Sequence, residues 1–208
     1  MKIISAEYIV FDSETTGLSV TDGDRIIEIA AVKIKNCQIV DRFSSLINPH
    51  RSIPQESTLV NGITEDMIKD APVAVEVLPQ LIDFIGGACL VGHNVRFDLN
   101  FLCYELSLMG RRLRQETPAI DTLKMAKELV PFLNSYRLEH VAQYLGVAVK
   151  QTHRAMADTE TTASVLSRLL VIAKDRYIEN VNELLEQFSV EKPNYPLRQQ
   201  ETVQGFLF

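Results

Sequence analysis

Four acidic residues stand where strands are expected to end or helices to begin. Asp12 and Glu14 follow a strand-like segment at residues 5–11, and because strand side chains alternate between faces, both carboxylates should project from the same side. Asp98 falls in the first turn of a helix that follows an apolar strand, and Asp158 falls one turn into a later helix. Like charges held close together repel strongly where water is scarce, so this set predicts raised pKa values or a bound cation.

The chemistry of these side chains narrows the choice of cation. Carboxylate oxygens with few nitrogens and no thiolates favour Mg²⁺ or Mn²⁺ over zinc, and two divalent ions would balance the four carboxylates. Pairs of such ions hold the attacking and departing oxygens of a phosphodiester. His153 lies just before the helix that carries Asp158, and its ordinary pKa near neutrality suits it to take a proton from an attacking water. Taken alone, each acid also fits a solvent-facing strand end or a helix start favoured by the helix dipole.

The elements that must position these residues begin with strands and continue with alternating strands and helices. Two β-rich segments, 26–35 and 38–47, are separated by Asn36-Cys37 and predict a hairpin beside the first strand. Pro49 and Pro54 predict a loop after it. Short strands are expected near 88–91 and 119–120, and helices near 75–85, 97–109, 122–130, 137–145 and 156–173. This order predicts an α/β layered domain with a mixed sheet.

Length, charge and cysteine content limit the class of protein. The 208 residues fit one domain with an appendage, and the net charge of −6 argues against a protein that coats duplex DNA. The net charge does not exclude an acidic enzyme that holds a short stretch of nucleic acid through metal ions. No uncharged apolar run approaches the ~18 residues of a membrane span, and the three cysteines lack CxxC spacing, which predicts reduced thiols. We expect a soluble, cytoplasmic protein with no membrane partner.

Three segments are predicted along the chain. Residues 1–174 form the globular domain, and residues 175–188 carry a further amphipathic helix. Residues 189–208 contain Pro193 and Pro196 in a polar stretch and are expected to leave the domain as a flexible tail.

Three short motifs occur in order: Asp12-Ser13-Glu14-Thr15-Thr16-Gly17, Asn94-Val95-Arg96-Phe97-Asp98, and His153 separated by four residues from Asp158. Together they resemble the motifs of the DEDDh (DnaQ-like) 3′→5′ exonucleases, over roughly residues 5–172. The likeness is closest to the proofreading exonuclease of bacterial replicases, the epsilon subunit of DNA polymerase III or the exonuclease domain of the Gram-positive replicase. One such motif is a weak sign, whereas three in order are a strong one. The resemblance implies a ribonuclease H-like α/β fold, with three antiparallel strands leading, parallel strands following, and helices on both faces.

The resemblance also implies a role for each motif residue. Asp12, Glu14 and Asp158 would hold the cation that activates water, Asp12 and Asp98 the one at the leaving 3′ oxygen, and His153 would be the general base. The residues expected at or beside the substrate are Thr15, Gly17, Leu18, Asn94, Phe97 and Phe101. Leu18 would wedge beside the terminal base, and Asn94 would brace the site by hydrogen bonds. Phe97 or Phe101 would stack on or pack near the nucleotide, although both equally fit a helix core.

The last five residues, Gln204-Gly205-Phe206-Leu207-Phe208, resemble the short peptide with which bacterial replication proteins dock onto the sliding clamp. Its pattern is a glutamine, two variable residues, a leucine and a phenylalanine, so Gln204, Leu207 and Phe208 are the expected contacts. A flexible tail with two apolar anchors suits a hydrophobic groove. The alternative is a terminal segment that folds back onto its own domain.

The leading interpretation is a metal-dependent 3′→5′ exonuclease that releases nucleoside 5′-monophosphates from single-stranded or frayed DNA ends, in proofreading or repair, with a DNA polymerase as a further partner. An RNA-trimming exoribonuclease of the same superfamily is one alternative, since no residue clearly reads the ribose 2′-OH. A docking adaptor for the clamp or polymerase is another, although the intact acids and His153 argue against it.

Overall fold

A five-stranded mixed sheet forms the centre of this computed structural model, which describes residues 1–149 and 154–197. The strands are β1 (Glu7–Thr15), β2 (Ile26–Lys35), β3 (Gln38–Leu46), β4 (Cys89–Gly92) and β5 (Ala119–Asp121). Their order across the sheet is β3-β2-β1-β4-β5. The pairs β1–β2 and β2–β3 are antiparallel, whereas β1–β4 and β4–β5 are parallel. The predicted fold, with three antiparallel strands followed by parallel ones, is confirmed.

Helices cover both faces of the sheet. Those in the described residues are α1 (Gln55–Asn61), α2 (Glu65–Ile68), α3 (Ala74–Ile85), α4 (Arg96–Leu108), α5 (Thr122–Leu129), α6 (Leu138–Tyr144), α7 (Ala155–Asp175) and α8 (Val181–Phe188). Helices α1 and α2 occupy the region where the prolines had predicted a loop. Pro54 directly precedes α1 with a φ of −58°, which is compatible with a helix start.

The central strand β1 divides the core into two layers. Tyr8 and Val10 pack with side chains of α5, α7 and α8 on one face, and Ile9 and Phe11 pack with α3 and α4 on the other. All four side chains are buried because β1 is covered on both faces. The polar end of β1 therefore emerges between the two helical layers.

The helix predicted at 175–188 starts later than expected. Helix α7 continues to Asp175, and Tyr177 then adopts a left-handed backbone with a φ of 65°. Asn180 starts α8 through a capping box, in which its side chain accepts a hydrogen bond from the Glu183 N–H and its own N–H donates to the Glu183 carboxylate. The apolar period across 175–188 includes this break, and the helix itself begins at Val181.

The described part of the predicted tail, residues 189–197, lies against the domain, and we call it the C-terminal strap. The Val190 N–H donates to the Ala119 carbonyl at 2.9 Å, beside β5. Lys192 Nζ donates to three backbone carbonyls, those of Arg114, Gln115 and Thr117, at 2.6–3.0 Å. Farther along, the Tyr195 hydroxyl hydrogen-bonds the Asn100 side chain on α4. The prediction of a flexible tail was thus wrong for this part of the chain.

Two groups of predicted residues lie outside the described part of the chain. They are His153, which precedes α7 in the sequence, and the terminal group Gln204, Leu207 and Phe208. Within the described residues, no helix is both long enough and apolar enough to span a bilayer.

Candidate active site

Three of the predicted acids meet at the end of β1. Asp12 and Glu14 lie on the face of the strand that packs against α7, and Asp158 lies in the first turn of that helix. Each of the three carboxylates offers an oxygen within 4.8 Å of the other two. Strand alternation and the position of the α7 start therefore bring together residues that are separated by more than 140 positions in the sequence.

Asp98 approaches this cluster from the opposite face of the sheet. Its Oδ1 accepts hydrogen bonds from the Ser13 N–H at 3.0 Å and from the Ser13 hydroxyl at 2.7 Å. Because Ser13 lies between Asp12 and Glu14, its side chain points toward α4, where Asp98 is located. Asp98 is close enough for its charge to raise the pKa of Asp12. Ser13 was missed as a site residue in the sequence, although its position between two acids places it there.

Burial and neighbouring acids make the carboxylates of Asp12, Glu14 and Asp98 hard to ionise. Burial is the largest cause for each, and it raises the pKa of Glu14 to about 8 and that of Asp98 to about 7. The pKa of Asp12 is raised well above its ordinary value, first by burial and then by the charges of Asp98, Glu14 and Asp158. A divalent cation would relieve this repulsion, and an all-carboxylate donor set fits Mg²⁺ or Mn²⁺.

A cavity of about 480 Å³ adjoins the acidic cluster at Glu14. Thr15 borders it from the end of β1, Gly17 and Leu18 border it from the loop that follows, and Phe97 borders it from α4. Leu18 is 84% exposed, so this loop presents an apolar side chain at the cavity rim. A planar apolar group could therefore lie beside Leu18 and Phe97 while a phosphate faces the carboxylates.

Asp24 fixes the loop that carries these cavity residues. Its carboxylate accepts hydrogen bonds from the Thr16 hydroxyl at 3.0 Å and from the Ser19 N–H at 3.1 Å, and it pairs with Arg51 at 3.2 Å. A Cβ atom added at Gly17 would lie only 2.2 Å from Asp24 Oδ2. Gly17 thus allows the backbone to pass directly against this carboxylate, a role that the sequence alone did not reveal.

Asn61 contacts the cluster, whereas Asn94 bonds to Asp121. Asn61, at the end of α1, is buried, and a hydrogen bond from its side chain lowers the pKa of Glu14, partly offsetting the effect of burial. Asn94 has a left-handed backbone with a φ of 63°, and its N–H donates to the Asp121 carboxylate at 2.9 Å. Asp121 also accepts from the Leu123 N–H at the start of α5. Asn94 was predicted as a bracing residue, whereas Asn61 was missed.

The two predicted aromatic residues have different environments. Phe97 borders the cavity, whereas Phe101 is 0% exposed and belongs to the core between the sheet and α4. Their ring centroids are 5.1 Å apart, so Phe101 supports Phe97 from behind. Of the two readings given for these rings, the helix-core one describes Phe101, because one turn of helix carries its ring into the core.

Known exonuclease and polymerase sequences resemble this chain over most of its length. A family model described as an exonuclease of the RNase T type matches residues 9–166, which include all four acids. The PolC-type DNA polymerase III of Caldanaerobacter subterraneus subsp. tengcongensis is 40% identical over 181 residues, which are 87% of this chain. The chain spans only 13% of the length of that relative.

Two solved structures have the same fold. Exonuclease X, solved in complex with 5′-overhanging duplex DNA, is 26% identical with a TM-score of 0.68, and the match covers 86% of this chain and 98% of the other. The nuclease domain of 3′hExo, a DEDDh family member solved with bound rAMP, is 18% identical with a TM-score of 0.72, and the match covers 93% and 100% of the two chains.

Proposed function

The chain belongs to the exonuclease family, and we propose that it hydrolyses DNA from the 3′ end in a metal-dependent reaction that releases nucleoside 5′-monophosphates. The observation that carries this proposal is the meeting of Asp12, Glu14 and Asp158 within 4.8 Å at the side of a nucleotide-sized cavity. The PolC-type relative is a DNA polymerase III, which supports a role in proofreading or repair of single-stranded or frayed ends.

Two divalent cations, Mg²⁺ or Mn²⁺, complete the proposed site. Asp12, Glu14 and Asp158 would hold one, and Asp12 with Asp98 would hold the other. When bound, these ions would act as Lewis acids on the phosphodiester oxygens and balance the carboxylate charge. The donor set supports this assignment because each donor is a carboxylate, which hard cations prefer.

The remaining roles belong to side chains around the cavity. Leu18 and Phe97 would hold the terminal base between two apolar side chains. Such contacts do not select among bases, because every base has a π-face. Thr15 and Gly17 would lie against the sugar and its 3′-OH. His153 is proposed as the general base from its place in the third motif, because a histidine titrates near neutral pH.

The proposal is tested with a 5′-labelled oligonucleotide and Mg²⁺. We expect a ladder of labelled products that shorten from the 3′ end of single-stranded DNA, faster on a mismatched duplex than on a matched one. Phosphorothioate linkages at the 3′ end should stop the reaction, whereas the same linkages at the 5′ end should not. Faster digestion of an RNA oligonucleotide than of DNA would overturn the assignment of DNA as substrate.

The assignment of residues needs a matched pair of variants. Asp12→Ala should reduce hydrolysis to the level seen with a chelator, because it removes a ligand of both proposed cations. Asp66→Ala removes an exposed acid on α2 that pairs with Lys69, and it should leave the rate unchanged. Equal rates for wild type and Asp12→Ala would falsify the assigned site.

The proposed partners are inferred from the pattern of residues 204–208 and from the DNA polymerase III relative. We propose that Gln204, Leu207 and Phe208 dock onto a sliding clamp in the cytoplasm, where the enzyme would work beside a DNA polymerase. Deletion of residues 204–208 should abolish binding to a purified clamp in surface-plasmon measurements and leave hydrolysis of a short oligonucleotide unchanged. Clamp binding that survives this deletion would contradict the docking proposal.

A further inference from the structure

An ion pair between Arg154, whose side chain is 37% exposed, and the buried Glu28 joins β2 to the start of α7 next to the acidic cluster. Arg154 directly precedes α7, and its Nη2 and Nε donate to Glu28 Oε1 and Oε2 at 2.7 and 3.0 Å. The Ala155 N–H donates to the same carboxylate at 3.0 Å. Glu28 therefore binds both the side chain before the helix and the first backbone N–H of the helix.

Glu28 occupies an unusual position for a carboxylate. It lies on β2 between Ile27 and Ile29, which are both fully buried, and is itself buried. It is also directly opposite Glu14 in the β1–β2 register, so the two acidic side chains share a face of the sheet. Like charges in such a pair are unfavourable, and a buried carboxylate is costly unless it is paired. Arg154 provides that pairing.

The same pair determines where Asp158 lies. The Arg154 carbonyl accepts hydrogen bonds from the Ala157 and Asp158 N–H groups at 2.8 and 3.2 Å, so Arg154 begins the first turn of α7. A shift of Arg154 relative to β2 would move this turn, and Asp158 with it, relative to Asp12 and Glu14. A separation of a few ångströms between these carboxylates leaves little tolerance for such a shift.

We propose that Glu28 and Arg154 are the positioning residues of this active site, which hold the first turn of α7 on β2 so that Asp158 meets Asp12 and Glu14 around a divalent cation. This inference rests on the proposed function, since it concerns the same cluster. Neither residue borders the cavity proposed to hold the nucleotide. The pair works through geometry, because the planar guanidinium engages both carboxylate oxygens and a lysine ammonium cannot reproduce that fork.

Conservative variants separate this geometry from charge. Arg154→Lys keeps the positive charge and loses the fork, and Glu28→Gln keeps the shape of the side chain and loses the charge. Each should lower kcat by about 10- to 100-fold, as is typical when the groups that orient metal ligands are changed. The KM for a single-stranded oligonucleotide should stay within about twofold of wild type, since the cavity that would bind the base is unchanged.

A second ion pair on α7 provides a matched control. Arg42 on β3 donates through its Nε to Glu160 Oε1 at 2.8 Å and also joins α7 to the sheet, but the Arg42 side chain is half exposed. Arg42→Lys should leave kcat unchanged. The double variant Glu28→Gln/Arg154→Lys should be no slower than the slower single variant, because both changes disrupt one unit.

Binding of Mn²⁺ to the protein without DNA gives a readout that does not depend on hydrolysis. Calorimetric titration should show affinity at least about tenfold weaker in Arg154→Lys and in Glu28→Gln than in wild type or Arg42→Lys. Circular dichroism should show that every variant has the wild-type fold at the temperature of the titration. Should Arg154→Lys fail to fold, Glu28→Gln alone decides the comparison.

The outcomes distinguish this inference from the proposed function. If wild type binds Mn²⁺ but hydrolyses no oligonucleotide, the proposed function fails while the Mn²⁺ affinities still decide the role of the pair. Wild-type affinity and wild-type kcat in Arg154→Lys would overturn the inference, as would equal losses in Arg154→Lys and Arg42→Lys. Absence of Mn²⁺ binding in wild type would overturn both.

Discussion

Ser13 shows how one residue connects the two faces of the sheet. Its neighbours Asp12 and Glu14 point toward α7, whereas its own hydroxyl reaches Asp98 on α4 at 2.7 Å. The acidic cluster is therefore built from both helical layers, which meet at the end of β1. A polar residue at this position lets Asp98 approach the other acids while one of its oxygens is hydrogen-bonded.

Ser13→Ala tests this connection. The variant removes the hydroxyl bond to Asp98 and keeps the backbone N–H bond, so Asp98 should lose orientation without leaving the site. We expect kcat to fall by about tenfold, measured by release of nucleotides at saturating oligonucleotide. Ser13→Thr retains the hydroxyl and should keep more than half of the rate. Similar losses in both variants would show that the hydroxyl is not responsible.

Gly17→Ala tests the loop at the cavity. Its Cβ would lie 2.2 Å from Asp24 Oδ2, so the loop or the carboxylate must move and Leu18 must move with it. We expect the KM for single-stranded DNA to rise by about tenfold, equivalent to about 1.4 kcal/mol of binding. Gly87→Ala is the control, since a Cβ at that position meets nothing within 4 Å. An unchanged KM in Gly17→Ala would show that this loop does not position the substrate.

Glu28 was missed in the sequence for a reason that does not apply to the four acids. Asp12, Glu14, Asp98 and Asp158 occur in short motifs that can be read locally, and the structure brings them to one edge of the sheet. Glu28 acquires its role only through a partner 126 positions away, which no local pattern contains. A charged residue within the apolar run of β2 was the signal that could have identified it.

At the scale of elements, the pattern of apolar residues predicted the sheet and the long helices. Their periods extend over enough residues to distinguish strand from helix. Helices α1 and α2 have only seven and four residues, too few to produce such a period, and α1 nevertheless supplies Asn61 to the site. The start of α8 was placed too early because apolar residues continue through the break between α7 and α8.

The C-terminal strap predicts a stability effect at the same scale. Lys192→Met removes hydrogen bonds to three carbonyls in the segment between α4 and β5. Loss of charged hydrogen bonds of this kind should lower Tm by about 3–6 °C in a protein of this size, measured by scanning calorimetry. Lys124→Met, at an exposed position on α5, is the control and should change Tm by less than about 1 °C. Equal melting temperatures would contradict a stabilising role for the strap.

At the scale of the whole molecule, the acidic cluster links folding to pH and metal. The pKa of Glu14 is about 8 in the folded protein, above its ordinary value of 4.5, because of burial first and neighbouring acids second. Between about pH 4.5 and pH 8, the folded state therefore keeps a proton on Glu14 that the unfolded state has released. The contribution of Glu14 to stability is fully present below about pH 4.5 and is lost as the pH rises through about 8.

Thermal unfolding in the presence of a chelator should reveal this linkage. We expect Tm to fall by at least about 4 °C between pH 6 and pH 8.5, and Mg²⁺ to restore more stability at the higher pH, where the ligands are ionised. Glu14→Gln cannot ionise and should show a smaller fall over the same range. A Tm that rises with pH in the chelated protein would contradict the assignment.

The strap also places Leu197 close to the loop at the cavity. Leu197 and Tyr195 border a surface recess together with Gly23 and Arg25, which flank the Asp24 that orders the loop at the cavity. If residues 204–208 bind a clamp as proposed, an anchor at Leu197 would hold the clamp on the side of the molecule where the 3′ end is expected to arrive. Effective concentration depends on the distance from anchor to target, so a short linker from Leu197 would favour repeated binding of the same DNA strand.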